Sequence, residues 1–130
     1  MTGMRRPTRV LVIDSEDIVL NSVVRALEDN KHPACEVTTA NSAVDGLKLV
    51  REKIFDVILI DVSLPGVNGA ELLRRIKSTN PSIYVIVMTG YTLDKALLTE
   101  VSKNADGFLL KPFTIGEIKS ALSSILKSSA

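Results

Sequence analysis

Five short apolar runs recur along this chain at roughly even intervals, and segments of helix length separate them. Within each run the apolar residues are continuous, which is typical of strands covered on both faces and therefore of a parallel sheet. The pattern predicts one α/β domain in which a strand is followed by a helix five times, with a doubly wound, five-stranded sheet of order 2-1-3-4-5. The runs lie near residues 9–13, 35–39, 56–60, 83–88 and 106–110.

The segments between the runs have the periodicity of amphipathic helices, so one face of each helix is expected to pack on the sheet. Ser42 with Asp45 and Thr114 with Glu117 match capping boxes at two helix starts. Thr92 marks another start, without the acid three residues later. The predicted core-facing residues are Ile18, Val19, Val23, Val24 and Leu27, then Ala43, Val44, Leu47 and Val50, then Leu72, Leu73 and Ile76, and finally Ile115, Ile118, Leu122 and Ile125.

Composition narrows the class of protein. The lone cysteine, Cys35, cannot form an internal disulfide, which favours a reducing cytoplasm, and we expect it to be an inert core residue. No apolar run approaches the roughly 20 residues of a membrane span, so no membrane insertion is expected. A formal net charge of +1 argues against a direct nucleic-acid partner. We expect a flexible N-terminal arm over residues 1–7 and the folded domain over residues 8–128.

Four of the predicted strands end in residues that carry chemistry. Asp14 follows the first run, Asp61 the third, Thr89 the fourth and Lys111 the fifth. The carboxyl ends of parallel strands meet where the winding of the sheet reverses, so these side chains are expected at one rim. Two carboxylates, a hydroxyl and an amine are suited to binding a phosphoryl group and a cation.

Asp61 is the strongest candidate for the reacting group, because a turn containing Pro65 and Gly66 follows it at once. A structural ion pair with Lys111 is the alternative interpretation. However, two acids on neighbouring strands are a poor stabilising device, so a functional role is favoured. For Asp14 the alternative interpretation is a structural role as the N-cap of the first helix.

Together these strand ends resemble the receiver domain of two-component response regulators, from Arg9 to about Lys127. The segments that carry the resemblance are 12–14, 61–66 with 68–69, 88–90 and 107–113, all in order and at strand ends. The resemblance implies a flavodoxin-like fold and an aspartyl phosphate on Asp61. The phosphoryl donor would be a sensor histidine kinase or a phosphotransfer protein.

The same resemblance implies a role for each site residue. Asp14, Asp61 and the backbone carbonyl of Ser63 would bind Mg²⁺. Thr89 would bond the phosphoryl oxygens, and Lys111 would pair first with the carboxylate and then with the phosphoryl group. Phe108 would be a partly buried aromatic switch that changes the face of helix 4, strand 5 and helix 5, where an effector or a second copy binds. Glu16, Gly90 and Pro112 would lie beside the pocket, and the family holds the peptide before Pro112 in cis.

One position departs from the family pattern. Most receivers have two consecutive acids where this chain has Asp14 and Ser15, and a neutral hydroxyl is a weaker Mg²⁺ ligand. We interpret Ser15 as the N-cap of the first helix, with Glu16 either reaching the pocket through a water or pointing outward. Ser15 is the only support for an alternative function, a pseudoreceiver that signals by contact without phosphoryl transfer.

An enzyme is the second alternative. An aspartyl-nucleophile phosphatase would need a second acid two residues after the nucleophile, where Ser63 stands. The sequence therefore predicts a phosphoacceptor signalling domain, which assists only its own phosphorylation and dephosphorylation. His32 is interpreted as a solvated loop residue, and Lys48, Arg51, Glu52 and Lys53 as a solvated helix face.

Overall fold

The structure is a computed structural model that describes residues 6–29, 34–90 and 94–128, and their side chains as far as residue 126. Over these ranges strands and helices alternate five times, as the apolar runs predict. The strands are β1 (Thr8–Ile13), β2 (Cys35–Ala40), β3 (Val57–Asp61), β4 (Tyr84–Thr89) and β5 (Gly107–Leu110). The helices are α1 (Asp17–Glu28), α2 (Ala43–Glu52), α3 (Gly69–Thr79), α4 (Lys95–Ser102) and α5 (Ile115–Ser128).

The sheet is parallel throughout its described strands and has the predicted order β2-β1-β3-β4-β5. Its register aligns the strand ends. Ile13 pairs with Ile60, so the residues that follow them, Asp14 and Asp61, are neighbours at the point where the winding reverses. On the other side, Thr89 pairs with Leu110, which places Lys111 one residue beyond Thr89.

The core has two layers, one on each face of the sheet. Alternate residues of β3 serve both layers: Ile58 and Ile60 pack under α2, α3 and α4, and Val57 and Leu59 pack under α1 and α5. Full burial of such a side chain contributes about 1.5–3 kcal/mol, which explains why the runs are apolar without alternation. Among the described helices, none has the length and apolar character needed to cross a bilayer.

Three of the predicted core residues are exposed instead. Ile18 is 80% exposed, and Val44 and Ile115 also face solvent. Ile18 and Ile115 stand in the first turns of their helices, ahead of the buried residues of each helix face. In α2 the contact face is centred on Gly46, where an added Cβ would lie 2.5 Å from Ile13 Cδ1. This close approach turns Val44 away from the sheet.

The predicted helix starts are largely confirmed. Thr114 and Glu117 form both halves of a capping box, with N–H to side-chain oxygen distances of 3.0 and 3.1 Å. Ser42 accepts the Asp45 N–H at 3.2 Å. For α4 the N-cap is Asp94, which accepts the Leu97 N–H, whereas Thr92 lies outside the described residues.

Candidate functional site

Asp61 is the last residue of β3 and is buried at the rim of the sheet. Its Oδ1 accepts the Ser63 N–H at 2.8 Å, and its Oδ2 lies 3.2 Å from Lys111 Nζ. The loop that follows is tightly fitted. Gly66 has a φ of 70°, which suits glycine, and a Cβ at Gly69 would lie 2.7 Å from the Val62 carbonyl oxygen. The carboxylate is thus held by a closely packed turn.

Asp14 is fully buried beside it. Its Oδ1 accepts the Glu16 N–H at 2.8 Å, and its Oδ2 accepts a hydrogen bond from Lys111 Nζ at 2.7 Å. Burial raises the pKa of the Asp14 carboxyl, and the Lys111 ammonium offsets this rise only in part. Asp14 is therefore a carboxylate for which additional positive charge would be favourable.

Lys111 provides the positive charge of the site. Burial lowers the pKa of its ammonium, but hydrogen bonds and charge from Asp14 and Asp61 together raise that pKa by more. The 2.7 Å contact with Asp14 is a charge-assisted hydrogen bond, so we assign the pair as charged at neutral pH. The peptide between Lys111 and Pro112 is cis, as the resemblance implied.

Glu16 completes the acidic group. It is the N-cap residue of α1, in extended conformation, yet its side chain makes no capping hydrogen bond. Its Oε1 lies 3.4 Å from Lys111 Nζ, and one carboxylate oxygen each of Asp14, Glu16 and Asp61 lies within 4.8 Å of the others. We call these three residues the acid triad.

The prediction that Ser15 caps α1 is wrong. The helix begins one residue later than that interpretation required, because the Asp14 carboxylate takes up the Glu16 N–H and leaves Ser15 exposed in the turn. The sequence placed Glu16 beside the pocket without deciding its direction, and the structure directs it inward to Lys111. The donor chemistry of the acid triad, oxygen ligands of high negative charge, fits Mg²⁺. The role of the Ser63 carbonyl stays a prediction.

Thr89 and Phe108 lie on the two strands beyond Asp61. Thr89 is buried at the end of β4, and its hydroxyl donates to the Gly90 carbonyl at 3.2 Å. Phe108, in β5, is 44% exposed and faces outward, so the prediction of a partly buried aromatic is wrong at this position. Leu110, two residues along β5, and Leu98 on α4 are further exposed apolar residues. Tyr91 and Leu93, two apolar residues of the segment between β4 and α4, lie outside the described residues.

A groove that sequence reasoning missed adjoins the acid triad. Glu16 and Lys111 are two of its lining residues, and its volume is about 420 Å³. It was missed because Ile18 was assigned to the core, although an apolar residue two positions after a site acid was a usable signal. The remaining lining residues are Ile18, Val19, Ser22, Pro112 and Phe113.

Other candidate residues have ordinary structural roles. Cys35 is half-buried against the layer under α1 and α5, and burial raises the pKa of its thiol, which fits an inert residue. Lys48 and its charged neighbours on α2 are exposed, as predicted. His32 lies outside the described residues.

Known proteins share this arrangement. A model of the response regulator receiver domain matches residues 10–123. The transcriptional regulatory protein ZraR of Klebsiella oxytoca is 33% identical over 117 residues, which are 90% of this chain and 26% of ZraR. The probable transcriptional regulatory protein TcrX of Mycobacterium tuberculosis is 28% identical over 94% of this chain and 51% of TcrX. This chain therefore spans about half or less of the length of these curated relatives.

A solved structure matches over nearly its whole length. The crystal structure of a CheY-like response regulator receiver domain protein from Methanospirillum hungatei JF-1 has a TM-score of 0.85 and 25% identity. The match covers 95% of this chain and 96% of that one. The architecture derived from the strands and their register is thus that of a known fold.

Proposed function

This chain belongs to the response regulator receiver domain family of two-component signalling, and on that premise we propose that Asp61 accepts a phosphoryl group from a phosphohistidine. One observation carries the proposal. The buried Asp61 carboxylate lies at a strand end, 3.2 Å from the Lys111 ammonium and beside two further acids. This combination of nucleophile, fixed positive charge and cation-binding oxygens is what phosphoryl transfer to a carboxylate requires.

The transfer is a displacement at phosphorus. A carboxylate oxygen of Asp61 forms the new P–O bond while the P–N bond to the donor histidine breaks, and the histidine nitrogen keeps the bonding pair. Asp14 and Asp61, with the Ser63 carbonyl, would hold Mg²⁺, which when bound offsets the negative charge of the transferring group. Lys111 then pairs with a phosphoryl oxygen. The domain thereby assists its own phosphorylation and dephosphorylation.

The donor is proposed to be a cytoplasmic sensor histidine kinase or a phosphotransfer protein. We propose that it binds in the groove beside the acid triad. Ile18 is 80% exposed there, and Pro112 and Phe113 continue the apolar surface up to Lys111. An apolar helix face that carries the phosphohistidine would bury this surface while its phosphoryl group reaches Asp61.

The output is proposed to pass through Thr89 and Phe108. The Thr89 hydroxyl donates to the Gly90 carbonyl, a bond that a phosphoryl oxygen on Asp61 would replace. Movement of Thr89 would make room for the outward-facing Phe108 to turn inward and would reshape the face of α4, β5 and α5. A downstream effector or a second copy of the chain would bind there.

Intact mass spectrometry tests the acceptor. Incubation with acetyl phosphate and Mg²⁺ should add one phosphoryl group to the wild type and none to Asp61→Asn. Asp17→Asn, which removes an exposed acid from the first turn of α1, is the matched control and should be modified like the wild type. Modification of Asp61→Asn would move the acceptor to another residue. No modification of the wild type, even with a cognate kinase, would favour the pseudoreceiver.

A further inference from the structure

We propose that Glu16 supplies the carboxylate that is absent at Ser15, so that all three members of the acid triad contribute to binding Mg²⁺. The inference rests on the proposed function, because the cation is the one that assists phosphorylation of Asp61. It is specific to this chain, since it follows from a serine between two acids at the start of α1.

The backbone of Glu16 is fixed from both sides. Its N–H donates to Asp14 Oδ1 at 2.8 Å. Its carbonyl accepts the N–H groups of Val19 and Leu20, both at 3.1 Å, which begins the hydrogen-bond ladder of α1. The turn between β1 and α1 therefore holds the Cα of Glu16 at a set position beside Asp14, and only the side chain has freedom to move.

That side chain is directed to the site and not to the helix. An acceptor at an N-cap normally bonds a backbone N–H of the first turn, and the Glu16 carboxylate makes no such bond. It contacts Lys111 instead, on the same ammonium that binds Asp14 and Asp61. Its side chain is 64% exposed, so it can exchange this contact for one with a cation without disturbing the core.

Charge and chemistry both favour this role. The acid triad and Lys111 together leave two negative charges, which a divalent cation balances. A serine hydroxyl at position 15 adds no charge and is exposed. Mg²⁺ in proteins keeps several of its waters, so a Glu16 carboxylate serves either as a direct ligand or as an acceptor for a bound water.

Two other roles for Glu16 predict different behaviour. A negative charge at a helix N-terminus is favourable in itself, and a half-exposed partner of Lys111 is an ordinary surface ion pair. Asp17 separates these cases. It lies in the same first turn of α1, is exposed and carries the same charge, but it is not part of the acid triad.

Calorimetric titration with Mg²⁺ alone, without a phosphodonor and at fixed ionic strength, tests the inference. Glu16→Gln should weaken binding about tenfold, whereas Asp17→Asn should stay close to the wild type. The double variant Ser15→Asp with Glu16→Gln should regain most of the lost affinity, because a carboxylate returns to the neighbouring position. Thermal unfolding in EDTA checks that each variant is folded.

Wild-type affinity in Glu16→Gln would overturn the inference, and so would equal losses in Glu16→Gln and Asp17→Asn. Asp14→Asn distinguishes this failure from that of the proposed function. If the wild type binds Mg²⁺, Asp14→Asn does not, and Glu16→Gln is unchanged, the inference alone fails. If the wild type binds no Mg²⁺, the inference fails together with the metal-assisted step at Asp61.

Discussion

The amino ends of the parallel strands form one rim of the sheet, here called the amino edge, and their carboxyl ends form the other, the carboxyl edge. Acidic residues are paired differently at these two edges. At the amino edge, Asp56 precedes β3 and Asp106 precedes β5, and each carboxylate has its own cation and accepts a backbone N–H from a neighbouring strand. At the carboxyl edge, among the described residues, the acid triad shares the ammonium of Lys111. Asp56 and Asp106 are therefore each balanced by a cation, whereas the acid triad has an excess of negative charge that a bound cation can balance.

The details of the amino edge support this contrast. Arg6 places two guanidinium nitrogens 2.8 Å from the two oxygens of Asp56, whose Oδ2 also accepts the Arg9 N–H at 2.8 Å. Asp106 Oδ2 accepts from Lys77 Nζ and from the Val85 N–H, both at 2.8 Å. Such bonds fix the positions of the strands and give each carboxylate a positive partner of its own.

The largest expected effect is at Asp106. Asp106→Ala removes the acceptor of the Lys77 ammonium and of the Val85 N–H, and it should lower the free energy of unfolding by about 2 kcal/mol. Chemical denaturation measures this loss. Glu100→Gln is the control, because it breaks only the exposed Lys103–Glu100 pair and should cost less than about 0.5 kcal/mol. Equal losses of unfolding free energy in the two variants would mean that the Asp106 contacts stabilise the fold no more than an exposed surface ion pair does.

At the carboxyl edge, removing an acid should not lower the free energy of unfolding. In Asp14→Asn the amide oxygen can still accept hydrogen bonds, and Lys111 keeps Glu16 and Asp61 as partners, so no buried charge is orphaned. Since repulsion within the acid triad also falls, we expect the metal-free protein to be unchanged or stabilised by up to about 1 kcal/mol. Denaturation in EDTA checks this. A loss as large as that of Asp106→Ala would mean that both edges are built for stability.

The smallest expected effect is pH-dependent. Burial raises the pKa of the Asp56 carboxyl, but Arg6 and the Arg9 N–H lower it by more, so it lies below its usual value. A carboxyl with a depressed pKa contributes stability above its unfolded pKa and loses that contribution as the pH falls through the folded pKa. Arg6→Gln should therefore lower the free energy of unfolding only slightly at neutral pH, and by less than Asp106→Ala does, because the Arg6 side chain is exposed to solvent. Denaturation at several pH values should show this difference disappear in acid, and a constant difference would contradict the assignment.

The contrast also separates what the sequence predicts from what it does not. The apolar runs predict the strands, and their ends predict that Asp14, Asp61, Thr89 and Lys111 meet, because a parallel register aligns residues that follow paired positions. The ion pairs of Asp56 and Asp106 at the amino edge were not predicted. Asp106 and Lys77 are 29 residues apart, and the sequence carries no local sign of their pairing.

The rotation of each helix about its own axis also could not be predicted from the sequence. Periodicity assigned Ile18 and Val44 to the core, but close contacts such as that of Gly46 with Ile13 decide which face of a helix meets the sheet. The same limit applied to Glu16, because a one-residue difference in the start of α1 decides its direction. The arm predicted over residues 1–7 stays a prediction, although Arg6 at its end is paired with Asp56.

Cation binding at the carboxyl edge is tested most directly by the rate at which acetyl phosphate modifies Asp61 in variants of the two edges. Intact mass spectrometry follows this rate. The wild type and Asp106→Asn should be modified at similar rates in Mg²⁺. Asp14→Asn should be modified far more slowly, and EDTA should suppress the reaction in all three proteins. Modification of Asp14→Asn at the wild-type rate would contradict the claim that the excess acid of the carboxyl edge exists to bind the cation that assists phosphorylation.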